Sequence, residues 1–118
     1  MIVRCASNLF DDIPQQLAQE IVQTLVAASV RIERIVSHGH SSPPDFWYDQ
    51  DQDEWVVVLK GAAKLRFEDG IVEMNPGDSI NSPAHKRHRV EWTTPDDAGR
   101  ADDLAGGLLY RVRRLHGL

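Results

Sequence analysis

Apolar and polar residues alternate along much of this chain with a period of two, the pattern of strands that turn one face to a core. Val30, Ile32, Arg34 and Val36 alternate with Arg31, Glu33, Ile35 and Ser37, which predicts a strand with one face more polar than the other. Residues 55–59 (Trp-Val-Val-Val-Leu) form a nearly continuous apolar run, which predicts a strand buried on both faces. Gly61 turns the chain, and Ala63, Leu65 and Phe67 then alternate with Lys64, Arg66 and Glu68 in a returning strand. Asp69-Gly70 is a hairpin signal. Residues 71–74 return, Pro76-Gly77-Asp78 turns again, 79–81 begin a short strand and 88–93 make another. Short strands broken by Gly and Pro at this pitch predict an antiparallel sandwich or barrel.

The two ends read less simply. Leu17, Ile21, Val22, Leu25 and Val26 fit one face of a helix over 15–26, with Asp11 or Asp12 as its cap and Pro14 in its first turn. The β-branched residues in 21–26 suit a strand equally well, so both forms stay open. After a polar loop at 94–103, Leu108, Tyr110 and Val112 alternate with Leu109, Arg111 and Arg113, which predicts a closing strand. The competing possibility is that codons in this region are read out of frame, leaving a tail foreign to the fold. Between the strands at 30–37 and 55–59 lies a loop over 38–53, rich in Ser, Pro and Asp around Phe46-Trp47-Tyr48. It is longer than a hairpin needs, and ordered loops of that length tend to carry function.

Composition narrows the class. The 118 residues suffice for one core, and 42% apolar with 26% charged content is ordinary for a globular domain. No run of about 18 apolar residues is present to span a membrane. Residues 1–10 do not resemble a secretory signal, so a cytoplasmic home is expected. Cys5 is the single cysteine, which rules out an internal disulfide and a thiolate zinc cluster. A net charge of −5 argues against nucleic acid as partner. Charge is nonetheless uneven: Asp45, Asp49, Asp51, Asp53 and Glu54 crowd one stretch, while Arg111, Arg113, Arg114 and His116 crowd the end. Read on their own, these are a solvated loop and a solvated basic tail.

Residues able to do chemistry fall into one order. Glu54 is followed by six residues and then Gly61; Pro76-Gly77-Asp78 is followed by Pro83-Ala84 and by His88-Arg89-Val90. In that order and spacing the chain resembles the small single-domain cupins. The resemblance implies an all-β, antiparallel jelly-roll barrel over 30–118; residues 1–29 are then expected as an extension packing on it, with the short helix one of its two open forms. It further implies a divalent metal (Fe, Mn, Ni or Zn) in the barrel, a small-molecule ligand that the protein acts on or senses, and a homodimer.

The family's first motif places a His-x-His pair before its glutamate, and here the usual spacing lands on 48–50, Tyr-Asp-Gln. The one His-x-His is His38-Gly39-His40, far upstream. Either the loop is an insertion and His38 or His40 still points inward, or Tyr48, Asp49 or Gln50 stand in for the histidines and weaken metal binding. The expected metal set is therefore His40 or His38, Glu54 and His88, with His85 as companion. Imidazoles with one carboxylate suit these metals and leave positions open for substrate. Trp47, Tyr48, Gln50 and Trp55 are the expected pocket residues, the aromatics offering stacking surfaces. Lys86 is a further group that could place a substrate. The alternative is a barrel that binds a small ligand without metal and without catalysis, with His88 as a hydrogen-bonding wall residue.

Overall fold

The structure, a computed structural model, describes residues 6–14, 17–95 and 107–114. Its eight strands are β1 (Ile21–Ala27), β2 (Val30–Ser37), β3 (Glu54–Lys60), β4 (Ala63–Phe67), β5 (Gly70–Met74), β6 (Ser79–Ser82), β7 (His88–Thr93) and β8 (Gly107–Arg114). They form two antiparallel sheets, β1-β2-β8-β3-β6 and β5-β4-β7. Packed together these make the expected jelly-roll barrel.

Local chemistry explains the turns. The Asp69-Gly70 signal closes the β4–β5 hairpin, where Phe67 pairs with Gly70. At Pro76-Gly77, Gly77 takes a positive φ of 90° that a side chain would resist. Its N–H bonds the Val58 carbonyl at 2.7 Å, and Val58 N–H bonds the Asp78 carbonyl at 3.0 Å, which pins this link between the sheets against β3. Gly61, also at positive φ (71°), carries the chain from the large sheet into the small one.

Ile35, Val56, Val58 and Leu109 of the large sheet meet Ala63, Leu65, Phe67 and Met74 of the small one in a single core. Val58 and Ala63 are fully buried. Each large side chain removed from water here contributes about 1.5–3 kcal/mol before entropy is counted.

Three expectations need correction. Residues 21–27 are not helical: β1 pairs with β2 from Ile21↔Val36 to Ala27↔Arg31, and no helix occurs among the described residues. Val22, Leu25 and Val26 stay exposed on this edge strand, so the apolar face that suggested a helix finds no core to bury it. Ladder hydrogen bonds and β-branched preference decide for the strand. β3 is not buried on both faces either. Glu54, Val56 and Val58 are buried while Trp55 is 36% exposed, because among the described residues no further layer covers the outer side of this sheet.

The third correction concerns the chain's end. The alternation at 108–113 does form a strand, β8, and it lies between β2 and β3 in the middle of the sheet. Arg111 and Arg113 are thus not a solvated tail; their side chains are only 15% and 19% exposed. Cys5, His116 and the residues 96–106 lie outside the described residues.

Candidate ligand and metal site

One end of the barrel interior holds a cavity of about 40 Å³ that opens to the surface. Its apolar lining comes from Ile35, Val56, Ala63, Leu65, Val90 and Leu109; its polar lining comes from Glu20, Tyr48, Gln50, Glu54, His88, Thr93 and Arg111. Strand alternation aims the strand residues: Glu54 precedes Val56 and Val58 on the inward face of β3, and His88 opens β7 opposite Phe67 of β4.

The long loop supplies the rest. Instead of arching away, it runs beside β7. Ser42 N–H bonds the Val90 carbonyl at 2.9 Å, Tyr48 and His88 exchange backbone bonds of 2.7 and 3.1 Å, and His85 N–H bonds the Gln50 carbonyl at 2.6 Å. This edge pairing fixes residues 48 and 50 so that both face the cavity, while the residue between them faces out. Asp49 there meets the exposed His85 at 3.1 Å.

His88 and Glu54 face each other in buried surroundings, Nε2 to Oε1 at 3.8 Å. The His88 Nδ1–H donates to the Lys86 carbonyl at 3.0 Å, since a carbonyl only accepts. In neutral imidazole the lone pair is then on Nε2, aimed at a carboxylate. Glu54 Oε2 and Gln50 Oε1 are buried and have no hydrogen-bond partner among the described residues. Glu54, Gln50 and neutral His88 thus bring acceptors to a cavity whose donors are few, the Tyr48 hydroxyl and the Arg111 guanidinium among them, and an unengaged buried acceptor costs free energy unless a cation or a donor-rich ligand meets it.

Tyr48 stacks on His88 with ring centroids 5.5 Å apart and meets Phe46 edge-on at 4.9 Å. Burial pushes its phenol above the ordinary value; Glu20 and Glu54 push the same way and Arg111 and Arg113 oppose them. The hydroxyl therefore holds its proton throughout the neutral range.

Of the remaining residues singled out from sequence, none lines this cavity. His40 accepts the His38 N–H through Nδ1 at 2.9 Å, and its carbonyl accepts the Thr93 hydroxyl at 2.6 Å. His85 is on the surface, its side chain 70% exposed. Trp47 packs under Arg87 at 5.2 Å, Lys86 lies over Phe67 at 5.0 Å, and Trp55 meets Tyr110 on the outer face of the large sheet. Among the described residues no cluster of three or more His, Cys, Asp or Glu is placed to take a metal ion.

Sequence reasoning missed Glu20, Thr93 and above all Arg111, which reaches the cavity from β8. Arg111 and Arg113 converge on buried Glu33 of β2. Its Oε1 lies 3.0 Å from Arg111 Nε and Nη2 and 2.7 Å from Arg113 Nη2. Burial alone would raise the Glu33 carboxyl; the charge of Arg111 and the hydrogen bond and charge of Arg113 outweigh it and hold the group below its usual value. The signal for this cluster was present as alternating Arg among apolar residues near the end of the chain, but its partner stands about 80 positions earlier.

Comparison with known proteins agrees with this architecture. The model of the Cupin domain family matches residues 32–100. Among solved structures, a candidate mannose-6-phosphate isomerase from Ralstonia eutropha JMP134 is 41% identical, with 94% of this chain and 98% of that one covered and a TM-score of 0.81. A cupin superfamily protein from Desulfitobacterium hafniense DCB-2 is 19% identical over 85% of this chain and 81% of its own, with a TM-score of 0.66. The KdgF protein of a Halomonas species is 15% identical over 84% of each chain, with a TM-score of 0.64. A search among curated proteins finds no match.

Proposed function

The chain belongs to the cupin family, and we propose that it binds one divalent transition metal through Glu54, His88 and Gln50 and acts on or senses a small polar molecule seated in the same cavity. The observation that carries this is that His88 Nε2 faces Glu54 while Glu54 Oε2 and Gln50 Oε1, in the same cavity, are buried with no hydrogen-bond partner among the described residues. A carboxylate, an imidazole and an amide oxygen form a donor set that Fe, Mn, Ni or Zn accepts. When bound, such an ion supplies Lewis-acid polarisation of a ligand oxygen.

The chain's own groups divide the remaining work. The Lys86 carbonyl fixes the His88 tautomer and ring plane. Tyr48 keeps its proton and offers it to a ligand oxygen. The apolar wall of Ile35, Leu65, Val90 and Leu109 excludes water from the ligand's other side.

A second reading keeps the barrel metal-free, with the three acceptors taking hydroxyl protons from a polyhydric ligand. It is favoured by the lack, among the described residues, of a three-membered cluster of His, Cys, Asp or Glu. Calorimetric titration of chelator-treated protein with Mn(II), Fe(II), Ni(II) and Zn(II) separates the two. Saturable binding lost in His88→Ala and weakened in Gln50→Ala supports the metal site; heat flat for all four metals supports the second reading. A homodimer fits the exposed Val22, Leu25 and Val26 of the edge strand, whose unpaired backbone needs cover. A cytoplasmic location fits the single cysteine.

A further inference from the structure

On the inner face of the large sheet, two guanidiniums of β8 draw on one carboxylate of β2. Across neighbouring strands, Arg31, Arg113 and Glu54 stand in one row and Glu33, Arg111 and Val56 in the next. One oxygen of Glu33 accepts from both guanidiniums. Two cations thus share one anion, and exposed Arg31 adds a third positive charge beside Arg113. Arg113 Nε is buried with no hydrogen-bond partner among the described residues. The nearest carboxylate in register, Glu54, does not supply one: it turns to His88, and its other oxygen is also without a partner among the described residues. Glu20, at the cavity's rim, is engaged by the Ser37 hydroxyl at 2.7 Å. A guanidinium kept largely from water with an unused N–H is costly unless an acceptor arrives from outside. Arg111, two positions away on the same strand, lines the cavity, so an acceptor held there stands beside Arg113.

We propose that Arg111 and Arg113 form the anion-binding end of the cavity, so that the ligand is a small molecule with a carboxylate or phosphate group, held there while its other end reaches Glu54 and His88. The inference deepens the proposed function and rests on its assignment of the barrel interior as the ligand site; it does not require the metal. Planar guanidinium forks suit both oxyanions, and charge-assisted bonds of this type are among the strongest a site can offer. Glu33 then has a second role. It pre-orients both arginines and competes with the ligand for them.

The test is calorimetric titration with inorganic phosphate and with malonate, using glycerol as a neutral control, on chelator-treated and Mn(II)-loaded protein. Binding of at least one anion but not glycerol is expected, weakened about tenfold or more in Arg113→Gln and in Arg111→Gln. In Glu33→Gln, binding should tighten, because the competitor has lost its charge. A purely structural role for the cluster would weaken binding in all three variants alike. Arg113→Lys keeps the charge if Arg113→Gln fails to fold, and should bind more weakly than wild type yet detectably. The stronger of the two probes tells phosphate from carboxylate ligands. Anion binding unaffected by either arginine, found only with metal present, or absent under every condition overturns the inference. The metal reading fails separately, if Mn(II) does not bind while the arginine-dependent anion binding persists.

Discussion

The large sheet turns Glu33, Glu54, Arg111 and Arg113 toward the barrel interior, whereas the small sheet turns Ala63, Leu65, Phe67 and Met74 there, with His88 as its one titratable group. Both walls are largely shielded from water, yet they do different work. The small sheet is a packing wall whose hairpin and turns follow from local chemistry. The large sheet places charge inside the barrel, and it can do so only because β8 lies between β2 and β3 and brings Arg111 and Arg113 to Glu33. The division teaches where stability and ligand chemistry reside, and substitutions on each wall should separate them.

The largest stability effect is expected on the packing wall. Met74→Ala, at a fully buried position, should cost about 2–5 kcal/mol in denaturant unfolding while leaving metal affinity unchanged. A matched loss of metal binding would mean that the walls are not separable.

Glu33→Gln tests the charged wall. At neutral pH it should cost about 1–3 kcal/mol, through loss of its charge-assisted bonds. The sign of its pH dependence follows from the lowered carboxyl. An acid held below its unfolded value contributes stability above that value, about 4.3, and loses it as pH falls through the folded one. The gap between wild type and Glu33→Gln should therefore shrink as pH drops below about 4. Unfolding curves at a series of acidic pH values would show it; a constant gap would mean that the carboxylate's charge is irrelevant.

Tyr48→Phe is a finer probe, removing one hydroxyl from the cavity. In wild type, ultraviolet titration of the phenols should show one group ionising above the usual value of about 10, and the variant should lack that late step. A native phenol that holds its proton longer than the unfolded one makes stability fall as pH rises past about 10, an effect absent in Tyr48→Phe. The smallest effect belongs to His85→Ala. Its side chain is mostly exposed and joined only to Asp49, so stability should move by less than about 0.5 kcal/mol and metal content not at all.

What could be read from sequence follows the same division. The β4–β5 hairpin and the Pro76-Gly77 turn were legible because a few adjacent residues dictate their backbone. Glu54 and His88 were legible because spacing along strands fixes which face a residue takes, and both meet in the cavity. For the positions of the missing His-x-His, the sequence offered two arrangements. Edge pairing of the loop with β7 brings Tyr48 and Gln50 inward and turns Asp49 out. That depends on contacts some 40 residues apart, which no local pattern reports. Arg111 and Arg113 were misread for the same reason, since a run of arginines near a chain's end has the same appearance whether it meets water or a buried glutamate. At 21–27, periodicity admitted both helix and strand, and the outcome was set by pairing with β2.

Elemental analysis of purified wild-type, His88→Ala and His85→Ala protein tests the central claim most directly. The account predicts about one transition-metal ion per chain in wild type and in His85→Ala, and none in His88→Ala. Wild-type protein that holds no metal even after exposure to Fe(II), Mn(II), Ni(II) and Zn(II), or a His88→Ala variant that holds as much as wild type, would contradict it.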